Sequence, residues 1–464
     1  MENRIKFGTD GWRAVIAEDY TINNVCRVSQ AVSKWLLKNN SNPSVVIGFD
    51  CRFGGKLFSD TASKVFIKNR IKVISSNHFI TTPMISLATK QLNASIGVVI
   101  TASHNPPSYN GYKLKASFGG PLLQKEISEI ENLIDDKFYD DLSDISLENN
   151  DKYKIVDIEK LYYDEVVKNF DIDLINDSNL KLAYDAMYGS GMFVAKRILS
   201  NAKFLHCDWN PSFGNIAPEP IHRNLSEFSQ FIVENKIDCG LATDGDADRI
   251  GLYNSKGEFI DAHHIILLVI HYLVKYKKMS GKVVTAFSCS VKVKKLCEFY
   301  NLEHETVKIG FKHIAGKMVT EDVLLGGEES GGIAIKGHVP ERDGIWIGLL
   351  LFEYMASSGK SLDDLINEVY DIVGSFSFER IDLHLDNKKK EDVIEKCQND
   401  QFKSFGEFNV KKIEKTDGYK FFFNDDTWLM IRPSGTEPVL RTYSEAPSRD
   451  IALKILESAQ SEIL

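Results

Sequence analysis

The sequence predicts an α/β fold: α/β domains with mixed, largely parallel sheets, then a smaller α+β domain at the C-terminal end. The first sign is a set of short, continuous apolar runs, Ser44–Phe49 (SVVIGF) and Ser95–Ile100 (SIGVVI) among them. Runs of this kind read as strands buried on both faces. Helical patterns separate them, and strands alternating with helices build a mostly parallel sheet covered on both sides. Near residue 371 the pattern changes, and several strand-like segments precede a closing helix.

Taken in order, Thr21 can cap a helix whose Val25, Val28, Val32, Trp35 and Leu36 recur at helical spacing, and Asn39–Pro43 breaks it. Ser44–Phe49 is then a strand, Lys56–Asn69 a helix, Ile71–Ser75 a strand, Pro83–Gln91 a helix and Ser95–Ile100 a strand. The acidic stretch Asp135–Asp151 reads as a linker. A second cycle has strands at Leu180–Tyr184, Lys203–His206 and Ile237–Thr243, with helices at Met192–Leu199 and Ser226–Asn235. A third has helices Ala262–Tyr276, Val291–Phe299, Ile345–Ser357 and Leu362–Val373, and strands Val283–Ala286, Glu303–Val307 and Val323–Gly326. The last segment carries strands Tyr419–Phe423 and Trp428–Ile431 and the helix Asp450–Ile463. The expected domains are 1–150, 151–256, 257–371 and 372–464.

Composition narrows the function classes. A chain of 464 residues holds about three domains and has room for four. The formal charge of −9 argues against a nucleic-acid or anionic-membrane surface. The seven cysteines are odd in number, scattered and free of C-x-x-C spacing, which suits a reducing compartment rather than a disulfide framework or structural zinc. The polar start MENRIKFGTDGWRA has no signal core, and no run of about 18 apolar residues occurs, so a cytoplasmic protein is expected.

Four loops carry chemistry. Thr101-Ala102-Ser103-His104-Asn105-Pro106-Pro107 follows a buried strand, at the end where open α/β sheets place ligands. Ser103 there can be a nucleophile or a carrier of a phosphoryl group, or belong to a plain polar turn. No G-x-S-x-G elbow supports a hydrolase. Asp244-Gly245-Asp246-Ala247-Asp248-Arg249 puts carboxylates at alternate positions, which repel unless a cation sits among them. Oxygen ligands suit Mg²⁺. An EF-hand is excluded, because its glycine and glutamate positions hold Arg249 and Ser255. Gly326-Gly327-Glu328-Glu329-Ser330-Gly331-Gly332 offers Glu328 and Ser330 to sugar hydroxyls, or is a flexible glycine turn. Arg432-Pro433-Ser434-Gly435-Thr436-Glu437-Pro438, with Arg441 beyond, makes an anion cradle that lacks the Walker GK[ST]. The loops complement one another: a nucleophile, a cation site, hydroxyl contacts and a phosphate cradle.

These four motifs, with Phe7-Gly8-Thr9-Asp10-Gly11-Trp12-Arg13, resemble the α-D-phosphohexomutase family of phosphoglucomutases and phosphomannomutases over essentially the whole chain. The resemblance implies three related α/β domains and a smaller α+β domain around a central cleft. It implies that Ser103 carries the phosphoryl group, and that Asp244, Asp246 and Asp248 hold Mg²⁺ with an oxygen of phosphorylated Ser103. Glu328 and Ser330 would read the sugar, and Arg432, Ser434, Gly435 and Thr436, with Arg441, would hold the non-reacting phosphate. Arg13, His104, Lys113 and Arg249 match positions lining the reaction centre, and Lys312 of Gly310-Phe311-Lys312 would contact substrate.

The expected reaction exchanges the 1- and 6-phosphates of glucose or mannose through phosphoserine and a hexose 1,6-bisphosphate, with glucose 1,6-bisphosphate as activator. Lys113 is the expected proton-transfer group, its pKa lowered by nearby cations. The family's glucosamine-phosphate branch has a sugar loop ending in Ser-Gly-His; here Ser330-Gly331 is followed by Gly332, closer to the glucose and mannose branch. His313 and His338 are the candidates for the helper that histidine would supply. A phosphoglucosamine mutase, a metal-dependent phosphatase and a non-catalytic sugar-phosphate sensor are the rival readings. The sequence does not fix the oligomeric state.

Overall fold

In the computed structural model, described for residues 5–138, 140–433 and 439–464, each apolar run becomes the middle of a sheet. In the first sheet Ile96–Ile100, Ser44–Phe49, Lys72–Ser76 and Tyr153–Val156 run parallel, and Tyr109–Ala116 and Trp12–Val15 close one edge antiparallel. The strand at 153–156 lies beyond residue 150 yet completes this sheet. The helix Ile22–Asn39 is capped as the sequence suggests, with the Thr21 hydroxyl accepting the Asn24 N–H, and it buries Val25, Val28, Val32 and Leu36. The acidic stretch 135–151 carries no helix or strand among the described residues.

The second sheet orders Phe259–Ile260, Ile250–Asn254, Cys239–Thr243, Leu182–Asp185 and Lys203–Leu205, the last three parallel. The third orders His304–Val307, Lys282–Ala286 and Val323–Gly327 in parallel, then Ile333–Ile335 antiparallel. The fourth is antiparallel throughout: Ser377–His384, Val439–Ala446, Thr427–Pro433, Tyr419–Asn424 and Lys412–Glu414. The helix Arg449–Ile463 lays Ala452, Ile455, Leu456 and Ala459 into the core on that sheet. The chain therefore has mixed, mostly parallel sheets followed by a smaller C-terminal unit with an antiparallel sheet. A single apolar core joins the first three units, holding Ile85, Tyr184, Ile266 and Leu349 together. No helix among the described residues is long and apolar enough to cross a membrane.

All four chemistry loops occupy the same topological position. Each connects a strand to its antiparallel neighbour: 100 to 109, 243 to 250, 327 to 333 and 433 to 439. The returning strands Tyr109–Ala116, Ile250–Asn254 and Ile333–Ile335 are absent from the sequence reading. The first reads as polar because it holds Lys113 and Lys115, yet both are completely buried.

Candidate active site

Ser103 sits in the left-handed backbone region, at φ 52°, where a non-glycine residue is uncommon. Its N–H donates to Thr101 Oγ1 at 2.9 Å, and the Thr101 hydroxyl donates to Asp50 Oδ2 at 2.5 Å. This conformation turns Oγ toward the second unit, where it donates to Asp244 Oδ2 at 2.7 Å. Gly245 permits that approach, since a Cβ there would lie 2.6 Å from the Ser103 carbonyl oxygen. His104 Nδ1 is 3.2 Å from Ser103 Oγ, and its Nε2 lies 3.5 Å from Arg249 Nη2. Arg13 donates to Asn105 Oδ1 at 2.7 Å.

Asp244, Asp246 and Asp248 are fully buried, and one oxygen from each lies within 4.8 Å of the others. Their contacts divide the oxygens into two sets. Asp246 Oδ2 accepts from Thr82 Oγ1 at 2.5 Å and from Lys113 Nζ at 2.7 Å. Asp248 Oδ2 accepts from Lys113 Nζ at 2.8 Å and from Arg342 Nη2 at 2.7 Å. Asp246 Oδ1 and Asp248 Oδ1 are buried without a partner among the described residues. Burying a carboxylate oxygen unsatisfied is costly, and a hard cation relieves that cost. The donor set therefore fits a divalent metal bound through oxygen.

Charges from distant segments converge here. Lys113 is also 2.8 Å from Asp10 Oδ2, and Lys115 reaches Glu341 Oε2 at 2.7 Å. Arg342 pairs with Asp10 as well as Asp248. The expected lowering of the Lys113 pKa is reversed: burial pushes it down, but Asp10, Asp246 and Asp248 outweigh burial and hold the ammonium protonated. Burial, with Arg249 and Arg13 close by, instead holds His104 well below the usual histidine range, as a neutral imidazole. Burial and the neighbouring Asp248 and Asp246 push the Asp244 carboxyl up. Asp246 goes the other way: burial raises it, but Lys113 and the Thr82 hydroxyl outweigh burial.

The third loop reaches this centre through its backbone, as the Gly331 carbonyl accepts the Ile250 N–H at 3.1 Å. Glu328 is buried and accepts the Gly310 N–H at 2.9 Å, which ties the third loop to Gly310-Phe311-Lys312. Burial raises its pKa to about 7, with Arg342 opposing. Ser330 and Lys312 are half-buried, and Lys312 donates to Gln124 of the first unit. On the fourth unit Asp417 accepts from Arg432 at 3.3 Å and from the Ile309 N–H at 2.8 Å, which sets Arg432 beside the same segment. Arg432 and Arg441 are cross-strand partners. Asp417 beside Arg432 and Asp382, the other cross-strand neighbour of Arg441, offset the two like charges. Ser434, Gly435 and Thr436 lie outside the described residues.

His338 stacks on Trp346, ring centroids 3.8 Å apart, with Nε2 3.0 Å from Asp343 Oδ2, so it is a packed histidine with a structural partner. His313 is half-buried next to Lys312. The sequence reading gave Asp10 no role of its own and missed Asp50, Arg52, Thr82, Glu341 and Arg342. One signal was available: charged residues directly after a buried strand, as in Phe49-Asp50-Cys51-Arg52.

Comparison with known proteins agrees with this architecture. Residues 4–140, 160–257 and 261–373 match the phosphoglucomutase/phosphomannomutase alpha/beta/alpha domains I, II and III, and residues 381–459 match the C-terminal domain. A phosphoglucomutase/phosphomannomutase of Thermococcus kodakarensis is 30% identical over 456 residues, covering 97% of this chain and 96% of its own. A phosphoglucosamine/phosphogalactosamine mutase of Sulfurisphaera tokodaii is 29% identical over 455 residues, covering 96% of each. The solved structure of a Thermus thermophilus protein described as a phosphomannomutase superposes with a TM-score of 0.89 at 29% identity over all of both chains. The chain belongs to the phosphoglucomutase/phosphomannomutase family, within the α-D-phosphohexomutases. It is thus an enzyme of the intramolecular phosphotransferase class, an isomerase.

Proposed function

We propose that this enzyme interconverts the 1- and 6-phosphates of glucose, mannose or both, with Ser103 as the phosphoryl carrier. The observation that carries this reading is Ser103 Oγ, 2.7 Å from Asp244 and beside carboxylate oxygens left without partners. Mg²⁺ held by Asp244, Asp246 and Asp248 would supply charge neutralisation for the moving phosphoryl group. Positioning and electrostatics supply most of the catalysis in phosphoryl transfer.

The chain's own residues do the rest. A sugar hydroxyl attacks phosphorus on Ser103; the new O–P bond forms as the bond to Oγ breaks. Neutral His104, 3.2 Å from Oγ, is placed to exchange a proton with the oxygens involved. The cations Lys113, Arg13 and Arg249 offset the negative charge in flight. The bisphosphate turns end over end, and its other phosphate returns to Ser103. Arg432 and Arg441, with Ser434, Gly435 and Thr436, hold the idle phosphate, while Glu328, Ser330 and Lys312 face the sugar. Glucose 1,6-bisphosphate, which charges Ser103, is the activator.

A phosphoglucosamine mutase is the second reading, because the Sulfurisphaera tokodaii relative bears that name. Gly332 counts against it: a Cβ there would lie 2.4 Å from Arg342 Cδ, so a histidine in its place would displace an arginine that Asp248 needs. The test is turnover of glucose, mannose and glucosamine 1-phosphates with Mg²⁺ and a trace of glucose 1,6-bisphosphate. Conversion of glucose or mannose phosphate in preference to glucosamine phosphate is expected. Preference for glucosamine phosphate would select the second reading, and release of inorganic phosphate would replace both with a phosphatase.

A further inference from the structure

Arg52 is completely buried beneath the Ser103 loop and touches the loop's backbone rather than its reacting atoms. Its Nη2 donates to the carbonyls of Ser103 at 2.6 Å and Asn105 at 2.7 Å. Its Nη1 donates to those of Pro106 at 2.8 Å and Tyr109 at 3.1 Å. Its Nε lies 3.2 Å from Asp50 Oδ2, the oxygen that accepts the Thr101 hydroxyl. Thr101 in turn accepts the Ser103 N–H, so both peptide groups of Ser103 lead back to one ion pair. From the second unit, the ring of Phe213 covers the guanidinium at 4.9 Å, and Trp209 Nε1 donates to the Cys51 carbonyl at 3.3 Å.

We infer that Arg52 is the positioning residue of the Ser103 loop, holding Ser103 in its left-handed conformation so that Oγ stays aimed at Asp244, with Phe213 bracing it from the second unit. Four carbonyls converging on one planar fork is an arrangement that only a guanidinium satisfies; an ammonium is a single point with three donors. Both terminal nitrogens are committed to backbone carbonyls, so Arg52 acts on the reaction through Ser103. Misplacing a reacting atom by about 1 Å costs on the order of 100-fold in rate.

This inference rests on Ser103 being the phosphoryl carrier, and the test separates the two. Full-length enzyme is mixed with hexose 1,6-bisphosphate, and phosphoryl uptake is followed in a single turnover by intact mass, with Ser103→Ala as the blank. Wild-type enzyme that takes up no phosphoryl group overturns the carrier reading itself. With uptake established, Arg52→Lys is expected to slow it and kcat by about 100-fold while KM for hexose 1-phosphate moves less than about threefold. Phe213→Leu, which keeps the arginine and removes its cover, is expected to slow uptake by roughly three- to tenfold with KM unchanged. Folding is checked by melting temperature. Folded Arg52→Lys with wild-type uptake overturns the inference, as does a KM that rises as far as kcat falls. If Arg52→Lys does not fold, wild-type uptake by Phe213→Leu overturns it.

Discussion

The two ends of the candidate cleft are built differently. On the reaction side, Ser103, Lys113 and the aspartates of the second loop are buried, and their side-chain polar atoms have named partners except Asp246 Oδ1 and Asp248 Oδ1. On the sugar side Ser330, Lys312 and Arg432 are only half-buried. The reaction side also draws on the first three units at once, through Lys113, Asp248 and Arg342. The sugar side hangs on Asp417 and Glu328, each joining one loop to one neighbouring segment. Preorganised charge costs no reorganisation during phosphoryl transfer. A less buried sugar side would suit the proposed bisphosphate, which is bound in two orientations.

Substitutions on the two sides should therefore separate in kinetics. Ser103→Ala is expected to lower turnover by at least about 10³-fold while hexose phosphate still binds, since only the carrier is lost. Retained turnover would mean that another group carries the phosphoryl, and the contrast between the two sides would fail. Asp246→Asn is expected next. It leaves the contacts to Thr82 and Lys113 nearly isosteric but removes a charge beside the unpartnered oxygens. Metal affinity, read by calorimetric titration with Mg²⁺ or Mn²⁺, should fall by more than about 100-fold, beyond the effect of an outer-sphere change. Undiminished affinity would break the assignment of the metal site.

Arg432→Gln sharpens the comparison from the other side. Losing a charged phosphate contact is expected to raise KM by roughly 10- to 100-fold and leave kcat within a few-fold. A fall in kcat with constant KM would place Arg432 in the chemistry instead.

How much of this was legible in the sequence follows the same division. The loops are visible because their chemistry is local: alternate aspartates, a serine before a proline pair, glycines flanking a glutamate. Their common hairpin setting is not, because Tyr109–Ala116 carries lysines that Asp10, Asp246, Asp248 and Glu341 make buriable, and those arrive from remote segments. For the same reason the sequence predicts the wrong direction for the Lys113 pKa: it places the aspartates at the same centre but gives no sign that Asp10, Asp246 and Asp248 pair directly with Nζ. Arg342 escapes notice because a lone arginine gives no sign that it will be buried; for Arg52 the one sign is its place directly after a buried strand.

Glu328→Gln has a smaller effect, on pH dependence. Burial raises the Glu328 carboxyl to about 7 from an ordinary value of 4.5. The folded protein thus binds this proton more tightly than the unfolded chain. Its stabilising contribution is complete below about pH 4.5 and is lost as pH rises through about 7. The glutamine variant should lose less melting temperature than wild type between pH 5 and pH 8, by a few degrees. Parallel curves would mean that the carboxyl is ionised at no cost, as a substrate-free solvated group would be.

The smallest effect on activity is expected at His338, where the two kinds of histidine are set against each other. His104 is neutral, next to Ser103 Oγ and surrounded by arginines. His338 is stacked on Trp346 and bonded to Asp343, whose carboxylate also accepts the Tyr162 hydroxyl and caps the helix Gly344–Ser358. His338→Phe keeps the stacking and removes one hydrogen bond to a charged group, a loss of about 1–3 kcal/mol. Melting temperature should fall while kcat stays within about twofold, because the Asp343 cap and the Arg342 contact to Asp248 do not pass through the imidazole. A collapse of kcat at unchanged melting temperature would return His338 to the reaction and leave the packing around Trp346 as the means of aiming it.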